Sequence, residues 1–149
     1  MHQIKSCGVL VFRREPELSF LLMKHPHRYD LPKGHVEGPE SEIECALREL
    51  SEETGIPKEL VRLEEGFRFV DKYYPKYRRF GNERVEKTLV IFLGWLLEPR
   101  PIIVSEHASH VWLPWSPPHN LQRETVDALL HEVGLFFEAR SLLRTSTSN

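Results

Sequence analysis

The sequence predicts an α/β fold, a mixed β-sheet with helices on both faces, and three features carry that prediction. Strand-like apolar runs recur on either side of one mid-chain amphipathic helix. The run 88–97, TLVIFLGWLL, is apolar almost throughout, as expected of a central strand buried on both faces. A second helical pattern then closes the chain.

In order along the chain, Ser6 to Phe12 (SCGVLVF) is rich in β-branched and aromatic residues and reads as a buried strand, with Arg13 to Glu17 as its turn. Ser19 to Met23 returns beside it. The segment 24–32 contains two prolines and reads as irregular. A helix follows whose ends are written locally: Ser41 and Glu44 make a capping box, while Gly55 and Pro57 supply the stop. Its apolar stripe is Ile43, Ala46, Leu47, Leu50 and Thr54. Residues 60–70 alternate apolar and charged and read as one strand, and 71–86 are polar, basic and aromatic. After the central strand, Pro99 and Pro101 break the chain, with a short edge strand expected at 102–104. Another strand is expected within 107–115, placing Trp112 and Trp115 near the core. Residues 121–143 read as a helix that Gly134 divides or bends, and 145–149 as a frayed tail.

A length of 149 residues suits one domain with a single core. Apolar content of 40% and charged content of 28% are those of a soluble globular chain, and a net charge of −2 gives no general attraction to nucleic acid or membrane. Any polyanion must therefore be held by a local basic patch. Cys7 and Cys45 read as buried, reduced thiols, and the eight histidines show no zinc spacing. No apolar run is long enough to span a bilayer and the N-terminus lacks a signal-peptide layout, so a cytoplasmic protein is expected.

The chemistry concentrates between Gly34 and Ile56. On a helix, Glu49 and Glu53 stand one above the other and Glu52 lies a turn from Glu49, which makes one face strongly acidic. Clustered carboxylates repel unless a cation neutralises them, and a hard divalent ion, Mg²⁺ or Mn²⁺, is the natural partner. The spacing of Gly34, Glu40, Arg48-Glu49-Leu50, Glu52-Glu53 and Gly55-Ile56 resembles the full signature of the Nudix hydrolases, with every fixed position filled. Gly38-Pro39 stands in the reverse of the order many members have.

That resemblance implies an α/β/α sandwich with a mixed central sheet, hydrolysis of a phosphoanhydride, and Mg²⁺ or Mn²⁺ held by Glu49, Glu52 and Glu53 with the backbone carbonyl of Lys33. Arg48 would orient a glutamate of the signature. For the general base the resemblance leaves two sources, a signature glutamate (Glu52 or Glu53) or Glu106. Further residues resemble one branch of the family, the diadenosine tetraphosphate hydrolases: SCGVLVFRR at the start, PKGHVE, Glu65-Gly66-Phe67, Tyr73, Lys87-Thr88 and the SEH motif at 105–107. By that resemblance Lys33, His35 and Lys87 face the phosphate chain and Tyr73 receives an adenine.

The segment between Tyr73 and Lys87 departs from the branch. It is several residues longer and carries Lys76, Arg78, Arg79 and Arg84 among Tyr77 and Phe80. A small-molecule nucleotide is the expected partner, but the basic segment also suits an RNA 5′ end or a diphosphoinositol polyphosphate, and a nucleoside triphosphate is a further candidate. A non-catalytic nucleotide sensor on the same fold is disfavoured by the intact signature. Oligomeric state is not legible in the sequence.

Overall fold

A computed structural model describes residues 1–105 and 108–147. The strands are β1 (His2–Arg13), β2 (Ser19–His25), β3 (Arg28–Asp30), β4 (Lys33–His35), β5 (Val61–Leu63), β6 (Phe69–Tyr73), β7 (Val85–Leu96) and β8 (Ser109–Pro114). They form one mixed sheet in which β1 and β7 run parallel from His2↔Val85 to Phe12↔Trp95. The other pairings are antiparallel: β4 and the start of β2 on β1, β5 and β6 on β7, and β3 and β8 on β2.

Alternation along the two long strands divides the interior. Cys7, Val9 and Val11 of β1, with Val90 and Phe92 of β7, pack against Cys45, Ala46 and Leu50 of helix α1 (Glu42–Thr54). Leu10 and Phe12, with Leu89, Ile91, Leu93 and Trp95, face the other way, onto Val126, Leu129, Leu130 and Val133 at and within helix α2 (Ala128–Thr147). The mixed sheet with a helix on each face is thus present. Among the described residues no helix is long and apolar enough to cross a membrane.

Several local expectations are corrected. Residues 60–70 are not one strand: β5 and β6 are separated by a turn at Gly66, whose φ of 86° needs a residue without Cβ. Within the supposedly irregular 24–32 segment, β2 runs on to His25 and turns into β3. No strand forms at 102–104, where the Ile103 N–H instead donates to the Thr54 carbonyl at 2.9 Å, tying this loop to the end of α1. The last helix starts late, after a kinked turn at Arg123–Asp127 in which Thr125 has φ of 69°, and passes through Gly134 without a break. At Gly134 an added Cβ would stand in ordinary van der Waals contact with the Trp115 ring, 3.8 Å away, so packing there does not demand glycine.

Candidate active site

The site is assembled where β4 leads into α1. Gly8 permits the approach of β4 to β1, because a Cβ there would overlap the Pro32 carbonyl and the backbone and side chain of Lys33. One residue on, a Cβ at Gly34 would overlap the Glu49 carboxylate, so that carboxylate lies directly against the β4 backbone. The helix that presents it starts at Ser41, which accepts from the Glu44 N–H while the Glu44 side chain accepts from the Ser41 N–H, and ends on left-handed Gly55 at φ 75°. Ile43 of the expected stripe is exposed, and Cys45 takes its place in the core with its thiol 3.3 Å from the Gly34 carbonyl. Both cysteines are free and buried, and burial pushes the Cys7 thiol up to about 12 and raises that of Cys45 as well.

Arg48 organises the acidic edge. It donates to both oxygens of Glu40 (3.0 and 2.7 Å), to Glu49 (2.9 Å), to Glu52 (3.3 Å) and to the His35 carbonyl (3.0 Å). One guanidinium thereby joins the 35–40 loop to the helix. Hydrogen bonds from Arg48, then from the Glu37 N–H, hold the Glu40 carboxyl down at about 2.

Glu53 is half-buried, not on an exposed face, and its Oε2 accepts from the Lys33 N–H at 3.2 Å. Burial pushes its carboxyl up to about 7, with the charges of Glu49 and Asp30 adding to the effect and Lys33 opposing it. Asp30 is itself buried enough to be raised, but the Lys33 ammonium at 2.7 Å holds it below its ordinary value. The donors fit a hard divalent ion: three carboxylates, one of them desolvated and costly to ionise without a cation beside it. Among the described residues no three acidic, His or Cys side chains already converge on one point, since Arg48 draws Glu49 and Glu52 toward itself.

A cationic group stands on the other face of the sheet, with His35 on β4 and Lys87 and Tyr73 on the strands beyond β1. His35 pairs with Ser6 and Lys87 with Ile4, positions of equal parity on β1, so both stand on the α2 side of the sheet. Tyr73 pairs with Lys87 across β6 and β7, and the Lys87 ammonium sits 5.6 Å from its ring. Burial and then the charges of Lys87, Arg79 and Lys33 hold His35 below its ordinary pKa, which favours neutral imidazole at pH 7. The structure therefore gathers Glu49, Glu52, Glu53 and Arg48 on one side, and His35, Lys87 and Tyr73 on the other. The Lys33 side chain is engaged by Asp30 between them. Glu106 lies outside the described residues.

Sequence reasoning passed over Asp30 and the role of Glu40. Asp30 is separated from Lys33 by the i,i+3 spacing of an ion pair, but its flanking prolines gave no strand to place it on. Glu40 stood within the signature, eight residues before its Arg48 partner, a separation that only the folded loop explains.

The NUDIX domain family pattern matches residues 3–133. The chain belongs to the Nudix hydrolases. It is accordingly a pyrophosphohydrolase enzyme, from a family that generally uses divalent metals. This Nudix hydrolase is 32% identical over 145 residues to the asymmetrical bis(5′-nucleosyl)-tetraphosphatase of Rattus norvegicus, spanning 87% of the chain and 92% of the relative. It is 32% identical over 125 residues to the Mus musculus protein of the same name, covering 74% and 78%. Among solved structures, a binary complex of a Caenorhabditis elegans Ap4A hydrolase matches with a TM-score of 0.76 and 26% identity over 91% of this chain and 98% of that one. The RenU Nudix hydrolase of M. smegmatis shares the fold at a TM-score of 0.67 and 16% identity, covering 91% and 86%.

Proposed function

We propose that this Nudix hydrolase cleaves a dinucleoside polyphosphate, diadenosine tetraphosphate to ATP and AMP, with Mg²⁺ or Mn²⁺. The observation that carries the reading is the Arg48-organised acidic edge, whose Glu49 carboxylate lies against Gly34 of β4, on the strand that also bears His35, while Lys87 and Tyr73 share the sheet face of His35. Similarity to the asymmetrical tetraphosphatases over 87% of the chain supports it.

Glu49, Glu52, Glu53 and the Lys33 carbonyl would hold the ion, which when bound neutralises phosphate charge and activates water. The chain's own groups do the rest. Arg48 fixes Glu49 and Glu52 through the hydrogen bonds described above. His35, as neutral imidazole, donates to a non-bridging oxygen, Lys87 supplies a full positive charge, and Tyr73 receives an adenine. The general base is a signature glutamate or Glu106.

Incubating pure protein and metal with dinucleoside polyphosphates, a triphosphorylated RNA end, a diphosphoinositol polyphosphate and nucleoside triphosphates, in isotopically labelled water, tests the reading. ATP and AMP are expected, with the label in one of them, and a chelator should abolish turnover until Mg²⁺ or Mn²⁺ is restored. Release of two ADP, or turnover confined to another class, overturns it. The cationic segment 76–84 favours the RNA end or the inositol compound as a second reading, and a steep fall of activity with salt on either would support it. No metal-dependent hydrolysis of any polyphosphate would point to a sensor.

A further inference from the structure

The long segment after β6 is folded, and its basic residues are not equivalent. Its ends close as a hairpin: the Val85 N–H donates to the Pro75 carbonyl at 2.9 Å, Lys76 bridges Arg84, and Arg84 donates to the Tyr74 carbonyl at 2.8 Å. Arg84 is therefore a clip. At the tip, the one-turn helix Arg78–Phe80 ends on Gly81 at φ 68° and lays Phe80 on the His2 ring, with centroids 4.2 Å apart and planes 26° from parallel. His2 has the same parity on β1 as Ile4 and Ser6, the partners of Lys87 and His35. The stack thus fastens the tip to the end of the face on which the cationic group stands.

Arg79 is held with its guanidinium 4.9 Å from the Phe80 ring centroid and 5.5 Å from that of Tyr77. Rings take up the guanidinium face and leave the N–H edge free. Among the described residues it has no hydrogen bond or carboxylate partner, and neither does Lys87. Two unpaired cations whose charges both reach His35 make a local positive patch that an anion can join.

We infer that Arg79 is a specificity-determining residue that grips the far part of the substrate's phosphate chain, so that the 74–84 hairpin selects long polyphosphates over short ones. This rests on the reading of His35 and Lys87 as phosphate contacts. The influence of Arg79 on His35 agrees with that proximity. On their shared face His35, on β4, and Lys87, on β7, stand two strand spacings apart, about 10 Å. A diphosphate cannot engage both ends of that span, whereas a chain of four or five phosphates can.

The test is steady-state kinetics of the full chain and its Arg79→Ala variant on diadenosine tri-, tetra- and pentaphosphate, with Arg78→Ala removing an equal charge from the same turn. Arg79→Ala should raise KM about tenfold for the tetra- and pentaphosphate with little change in kcat, and affect the triphosphate much less. Arg78→Ala should resemble the parent, and Arg79→Lys should recover only part of the loss. Equal effects of Arg78→Ala and Arg79→Ala, or a KM change independent of chain length, overturn the inference. Calorimetric titration of inorganic tripolyphosphate and pyrophosphate separates this from failure of the substrate reading. If no dinucleoside polyphosphate is cleaved, an approximately tenfold loss of tripolyphosphate affinity in Arg79→Ala, with pyrophosphate unaffected, sustains the role of Arg79. Unchanged tripolyphosphate affinity overturns it.

Discussion

Gly34 and Glu53 show how closely the acidic edge depends on single atoms. Gly34→Ala places a methyl group where the Glu49 carboxylate lies, so that carboxylate must swing away from β4 and its 2.9 Å bond to Arg48 must rearrange. Its activity should fall by about 10²-fold, as angstrom-scale misplacement of a reacting group does, while circular dichroism shows an intact fold. Glu53→Gln should remove nearly all turnover, and its thermal midpoint should match or exceed that of the parent, because a neutral amide replaces a carboxyl that burial already makes costly to ionise. A lowered midpoint would show that Glu53 supports the fold. At this scale the sequence revealed identities well and partners poorly. Glu49, Glu52 and Glu53 were legible because helical geometry places them from spacing alone. Asp30 and Glu40 were not, because their partners are set by a loop whose path depends on Gly8 and on Arg48.

Among the elements, α1 was the most legible, since both of its caps are local chemistry and Ala46, Leu50 and Thr54 of its expected stripe are buried; only the exchange of Ile43 for Cys45 was not, since it follows from how β4 leans on the helix. The short strands β3 and β4 were hidden for a related reason: three residues carry no periodicity, and pairing alone makes them strands. The start of α1 is tied to two other elements through Glu42, which accepts from Lys5 of β1 at 2.9 Å and from Arg68, in the turn ahead of β6, at 2.8 and 2.9 Å. Hydrogen bonding to Arg68, then Lys5, holds the Glu42 carboxyl at about 2 against an ordinary value of 4.5. Its folded pKa is depressed, so its stabilising contribution is complete above about pH 4.5 and is lost as pH falls toward 2. Thermal midpoints of the parent and Glu42→Gln should therefore differ at neutral pH and converge across that window. A constant difference would show that the ion pairs contribute through geometry rather than charge.

For the whole molecule, one sheet serves two interiors that share a backbone but few side chains. Leu50 on the α1 side and Leu129 on the α2 side are both fully buried. Truncating either to Ala should lower unfolding free energy by about 2–5 kcal/mol in denaturant titrations. Leu50→Ala should also lower kcat, by about tenfold, because α1 bears the carboxylates, whereas Leu129→Ala should leave kcat close to the parent. The hairpin 74–84 belongs to neither interior. Its ends meet at the 2.9 Å contact between Pro75 and Val85, so a two-residue turn could replace everything between them without moving β6 or β7. A change of substrate range at this hairpin can thus be made by insertion or deletion of one self-closing cassette, with no compensating substitution in the signature sequence.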